Sequence, residues 1–178
     1  MSFNTRLLES IDIVPAFTPG QDINTDASGD WVSLKNYDGC LVCFHKAAGT
    51  AGDDPVISLL QATTVSGTSS KALNINHLYA KVGATAISGV STFTKYSGTA
   101  AATVDLVSAF GTDILSDVGE SLIVVDVRAS DLDVSNGFDC ISLFIEGDDV
   151  ANATLSDAWY ILYGARYPQA IPLASITN

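Results

Sequence analysis

Short runs rich in Val, Ile, Thr, Tyr and Phe alternate along this chain with clusters of Gly, Ser, Thr, Asn and Asp. Such runs fit a pleated, half-buried surface, and the clusters between them are turn formers. The pattern predicts strands near 30–34, 40–46, 55–63, 72–82, 90–96, 121–129, 139–146 and 158–167. In "SLIVVDVRA", Ile123, Val125, Val127 and Ala129 share one face, while Leu122, Val124, Asp126 and Arg128 share the other. Charge enters only on the second face, so the first is expected to face the core. In "AWYILYGARY", Trp159, Ile161, Tyr163, Ala165 and Tyr167 line one side, with Arg166 opposite.

Helical signal is thin. "NTRLLESI" predicts a short N-terminal turn, and "DLVSAFGTDILSDVG" a short helix or an irregular loop. No long amphipathic helix separates the strands, which argues against a parallel α/β sheet. The expected fold is all-β: an antiparallel β-sandwich, with a jelly roll as one form of it. Gly-Thr pairs at 49–50, 67–68, 98–99 and 111–112 are irregularly spaced and read as loop punctuation, not as a solenoid repeat. Proline-bearing stretches, "IVPAFTPG" and "RYPQAIPLASITN", flank the body. They read as an N-terminal arm over 1–22 and a C-terminal tail over 168–178 around a sandwich at 23–167. The alternative is that they lie along their own domain.

Charge narrows the partners. Eight basic residues stand against 20 acidic ones, for a net charge of -12. That surface repels phosphate backbones, so nucleic acid is not an expected partner. No apolar run is long enough for a membrane span, and Glu9 and Asp12 interrupt what would be a signal peptide. The expectation is a chain made in the cytoplasm, which is compatible with incorporation into a particle. Charged residues are only 16% of a chain that is 47% hydrophobic, so part of the apolar surface is expected to meet a partner.

Candidate chemistry is sparse. Cys40, Cys43 and Cys140 make an odd set, and the C-x-x-C of "CLVC" lies in a strand run, where an offset of three puts the two thiols on opposite faces. They read as buried structural cysteines. Asp53 and Asp54 in "GTAGDDP" read as a turn before Pro55, since two adjacent aspartates do not supply a calcium ligand set. "DLDVSNGFD", from Asp131 to Asp139, is the best calcium candidate. It fails the EF-hand pattern, with Asn136 where glycine is required and Ser142 where glutamate is required, and Asn136-Gly137 reads as a turn. Cys43 and His45 share a face, but nothing supplies an oriented base or an oxyanion hole. His77, on the face of Leu73, Ile75 and Tyr79, reads as a structural histidine. Asn152 matches a glycosylation pattern without a secretory signal. Glu9, Glu120 and Glu146 show no partner at an acid/base spacing. No catalytic residue, metal or cofactor is expected.

"GDWVSLKNYDGCLVCFHKAAGTAGDDPVISLLQAT", "SSKALNI", "DLDVSNGFDCISLFI" and "YILYGARYP" resemble segments of a family of small proteins encoded beside the capsid genes of tailed bacteriophages. The likeness covers about 30 to 167. It implies a virion component on the capsid exterior, a head decoration (cement) protein or another minor head protein. Its partners would be the major capsid protein and sister copies, as a trimer by analogy with the class. The alternative from the residues is a carbohydrate- or receptor-binding module of a spike, fibre or tail, with Trp31, Trp159, Tyr160 and Tyr163 as candidate stacking groups. Core packing accounts for most of those aromatics. A glycan hydrolase comes third, for want of a carboxylate pair.

Overall fold

The computed structural model describes residues 7–50, 55–83, 85–87, 91–105, 110, 119–147 and 154–166. Two antiparallel sheets pack face to face, as the alternation predicts. The strands are β1 (Ile11–Pro15), β2 (Gln21–Asp22), β3 (Ala27–Ser28), β4 (Val32–Ser33), β5 (Gly39–Lys46), β6 (Val56–Ala62), β7 (Lys71–Leu73), β8 (Ile75–Val82), β9 (Thr94–Ala101), β10 (Thr103–Asp105), β11 (Ser121–Arg128), β12 (Cys140–Glu146) and β13 (Leu155–Tyr163). Sheet I runs β1-β13-β5-β11-β8-β9, with β2 also on β13. Sheet II runs β10-β6-β12-β3, with β4 also on β12 and β7 also on β6.

Set β7, β8 and β9 aside, and the strands nest first with last. β1 and β2 pair with β13, β3 and β4 with β12, β5 with β11, and β6 with β10. That is the jelly-roll order. The other three strands are an excursion. After pairing with β6, the chain leaves sheet II at Asn74 and joins sheet I as β8. It turns back as β9 and returns to sheet II as β10. The outer edge of β6 is thereby covered by β7 along Leu59–Gln61 and by β10 along Val56–Ser58.

The core lies between the sheets. Val42 and Phe44 from β5, Ile123, Val125 and Val127 from β11, and Tyr160 and Leu162 from β13 face Ile57, Leu59, Ile141, Leu143 and Ile145 from sheet II. The face of "SLIVVDVRA" expected to be the core face is buried at each of its positions. Leu7–Glu9 forms one short 3-10 turn, in place of the predicted helical turn. The 105–119 stretch lies largely outside the described residues.

Some boundaries move. Ile11–Asp22, assigned above to an arm, belongs to the sheet: β1 pairs with β13 from Ile11↔Tyr163 to Pro15↔Trp159, and β2 follows on the same edge. Proline is tolerated there because the strand is an edge. Thr94–Ala101 is strand where 90–96 was expected, and Gly98-Thr99 falls inside it, so that pair is not a turn. Residues 1–6 and 168–178 are outside the described set.

One hydroxyl ties the two sheets. β12 pairs with β4 at Cys140 and Ile141 and with β3 at Phe144 and Ile145, and the edge chain bends away between them. In that gap Gly29 N–H donates to the Leu143 carbonyl (2.7 Å), and Leu143 N–H donates to Tyr160 Oη (2.9 Å). Tyr160 belongs to β13, so its ring crosses the core to serve a backbone group of the other sheet. A Cβ on Gly29 would stand 2.6 Å from that hydroxyl and 3.0 Å from the Leu143 carbonyl, so only glycine fits. Tyr160→Phe leaves a buried N–H without its acceptor. It should lower the unfolding free energy by about 1–3 kcal/mol in denaturant titration, and an unchanged midpoint would mean that Leu143 finds another partner.

Candidate functional site

The cysteines carry no chemistry. Cys40 points into the core and Cys43 to the opposite face, as the offset of three predicts, and all three thiols are free and buried. Burial pushes Cys40 well above the usual thiol range, Cys43 up to about 11 and Cys140 up to about 12. None is a thiolate at neutral pH, so none is an activated nucleophile. His45 shares the outer face of β5 with Cys43, but its Nε2 lies 2.8 Å from Glu120 Oε1 instead. Glu120 Oε2 accepts the Ile87 N–H at 2.6 Å, and its backbone bonds Gly83 and Thr85. The Ile87 N–H, followed by His45, holds the Glu120 carboxyl below its ordinary range. The sequence showed no partner for Glu120, because this pair spans 75 residues. The pair clamps the 83–87 segment to the end of β11.

The Asp131–Asp139 loop is closed on itself. Asp133 accepts from Lys71 Nζ (2.5 Å), Ser135 Oγ (3.0 Å) and Asn136 Nδ2 (2.8 Å to Oδ2), so its oxygens are occupied. Gly137 takes the left-handed conformation, φ 83°, that the Asn-Gly turn requires. Among the described residues no group of three or more His, Cys, Asp or Glu could hold a metal ion. Asp53, Asp54 and Asn152 lie outside the described residues, as does the side chain of Glu9.

Two surfaces stand out instead. The first is the outer face of sheet I. Registers align Pro15, Trp159, Cys43, Val124 and Tyr79 in one row across five strands, ending at Lys95 on a sixth. The next row holds Ile13, Ile161 and Leu41, ending at Asp126. Leu122 and Phe93 extend the patch toward β8 and β9. Between Trp159 and Phe93 the face is hollowed into an apolar cavity of about 440 Å³. Lys81 lies over the Phe93 ring (4.7 Å) and Lys95 over Tyr79 (5.8 Å), so charge sits at the rim. Trp159 and Tyr163 are therefore outer-face residues, not the core residues their strand position suggested. Tyr160, one position away, is core.

The second is a polar cleft where sheet I splits. β11 pairs with β8 only along Ser121–Val124, against Val82–Tyr79. Beyond that point β8 bends toward sheet II, and a cavity of about 480 Å³ opens down to Leu59. Asn74, Asn76, His77 and Tyr79 line one wall; Asp126, Arg128 and Asp131 line the other. His77 does not share the face of Leu73 and Ile75 as expected, because the buried positions change from Leu73 and Ile75 to Leu78 and Ala80 where the chain crosses from sheet II to sheet I. Leu73 and Ile75 are buried, while His77 looks outward, edge-on to Tyr79 at 5.9 Å, with Nδ1 2.5 Å from Asn76 Oδ1.

No family model, curated protein or solved structure matches this chain. The fold defines it as an all-β jelly-roll sandwich.

Lys71, with the help of Asn136 and Ser135, holds the Asp133 carboxyl down at about 2. A depressed carboxyl stabilises the fold above the unfolded value, about 3.9, and loses that contribution as pH falls through the folded one. Thermal stability should therefore drop between about pH 4 and pH 2. Asp133→Asn should melt lower than the parent at neutral pH and show a shallower acid decline. An identical decline in both proteins would remove Asp133 as its source.

Proposed function

We propose that this protein is a bacteriophage virion component, a decoration (cement) protein that binds the assembled head shell through the outer face of sheet I. The observation that carries the reading is that face: a continuous apolar surface, five strands wide, on a chain whose net charge is -12. Apolar patches with polar rims mark interaction sites, and Ile13 (50% exposed) and Phe93 (46%) open this one to solvent at its two ends. The likeness of segments across 30–167 to proteins encoded beside capsid genes supports a shell as the partner. Acidic charge elsewhere opposes non-specific association. A protein that binds only the assembled shell stabilises it by mass action.

Leu41→Lys places a charge in the middle of the face without touching the core. Val134→Lys is the control, at an exposed apolar residue (57%) in the Val134–Asn136 turn. Co-sedimentation with undecorated shells should fall about tenfold or more for Leu41→Lys and stay unchanged for the control. Equal binding of both variants would sink the assignment of the face. Quantitative mass spectrometry of purified particles checks the function itself: a copy number comparable with the major capsid protein is expected, and absence from particles would refute it.

A further inference from the structure

We propose that the cleft between β8 and β11 is a saccharide-binding site specific for neutral glycans. It borders the apolar face at Tyr79 and Asp126 and does not rest on the shell-binding reading.

The cleft exists because the ladder stops. Past Val124, β11 keeps β5 on one side and, among the described residues, pairs with no strand on the other. On that side the Arg128 N–H is already bonded to Asp131 Oδ2 at 2.9 Å, and the other backbone groups of Val125–Arg128 there border a cavity of about 480 Å³, within the size range of small-ligand sites. A ligand entering here must satisfy both donors and acceptors.

The side chains select the chemistry. Asp126 and Asp131 are offset by Arg128 and Lys95, so the cavity has no net sign with which to attract an anion or a cation. The groups of three carboxylates or imidazoles that a metal would need are absent among the described residues. Asn74 and Asn76 add two amides, each both donor and acceptor. An apolar ligand would strand these groups, since buried polar atoms need partners. Hydroxyl groups, which donate and accept alike, match them. The remaining requirement of a sugar is a surface for its C–H face, and Tyr79 supplies an aromatic ring at the cleft wall. The Asn76–His77 contact and the edge-on His77–Tyr79 packing fix both rings before a ligand arrives. Preorganisation of that kind lowers the ordering cost of binding. The aromatics that the sequence put forward for stacking do not line this cleft. Trp159 and Tyr163 are on the outer face, and Tyr160 is spent inside the core.

The test uses the full chain on a glycan array carrying neutral and acidic oligosaccharides, followed by titration of the strongest hit. Asn74→Ala and Arg128→Ala alter exposed side chains, and thermal melts confirm that each folds. Each should weaken the titrated affinity about tenfold, whereas Ile13→Lys, at the far edge of the apolar face, should not. Shell co-sedimentation of Asn74→Ala should be normal, so loss of sugar binding and loss of shell binding are read apart. An array with no hit, hits confined to acidic glycans, or equal affinity in parent and both variants would overturn the proposal. A synthetic peptide of residues 167–178 is the competing probe. If it shifts the amide resonances of Val125–Arg128 and no saccharide does, the seam is a strand-pairing slot and the proposal falls.

Discussion

Alternation along a strand gives every residue one of two faces, and the middles of β5, β11 and β13 carry apolar residues on both. Inward, Val42, Phe44, Ile123, Val125, Tyr160 and Leu162 fill the sandwich. Outward, Leu41, Cys43, Leu122, Val124, Trp159 and Ile161 meet no second sheet among the described residues. A jelly roll buries one face of each sheet, so its geometry satisfies the first set and cannot satisfy the second. Sheet II is more mixed: β12 alternates Ile141, Leu143 and Ile145 inward with Cys140, Ser142, Phe144 and Glu146 on its other face.

The excursion through β7, β8 and β9 creates both surfaces at once. Without it sheet I would end at β11. With it, Tyr79 and Phe93 extend the apolar rows and the lysines of β8 and β9 form their rim. The same strand begins in sheet II, because Lys71–Leu73 pairs with β6 before the chain crosses at Asn74. A strand that starts in one sheet and ends in the other can follow β11 for only part of its length. The cleft is the unavoidable remainder of that crossing.

Much of this was legible in the residues, and the misses have physical causes. The alternation in "SLIVVDVRA" located its core face, and the C-x-x-C spacing placed the two thiols on opposite sides. Both follow from period two alone. β1 escaped notice because Pro15 and the flanking Pro19 read as an arm, and only the pairing with β13 shows it to be an edge. His77 was placed on the wrong face because the strand passes from one sheet to the other and its buried positions change parity between Ile75 and Leu78, which no local composition announces. The His45–Glu120 pair and the cleft were invisible for a shared reason. Each joins residues far apart in the chain, and β-topology alone brings them together.

The two surfaces touch, and one residue pair keeps them distinct. Asp126 sits in the row of Ile13, Ile161 and Leu41 and also lines the cleft. Left bare, a carboxylate there would hydrate the apolar rows beside it. Tyr163 prevents this by donating its hydroxyl to Asp126 at 2.6 Å across β5. Its ring passes over Gly39, where a Cβ would come inside van der Waals contact of the phenol. Burial, with Asp126 second, pushes the Tyr163 phenol up, so the donor stays protonated across the physiological range. With one carboxylate oxygen held by the phenol, Asp126 presents a bonded edge to the apolar rows. Glycine at 39 is thus a condition for having two surfaces on one sheet: it admits the ring that separates the apolar one from the polar one.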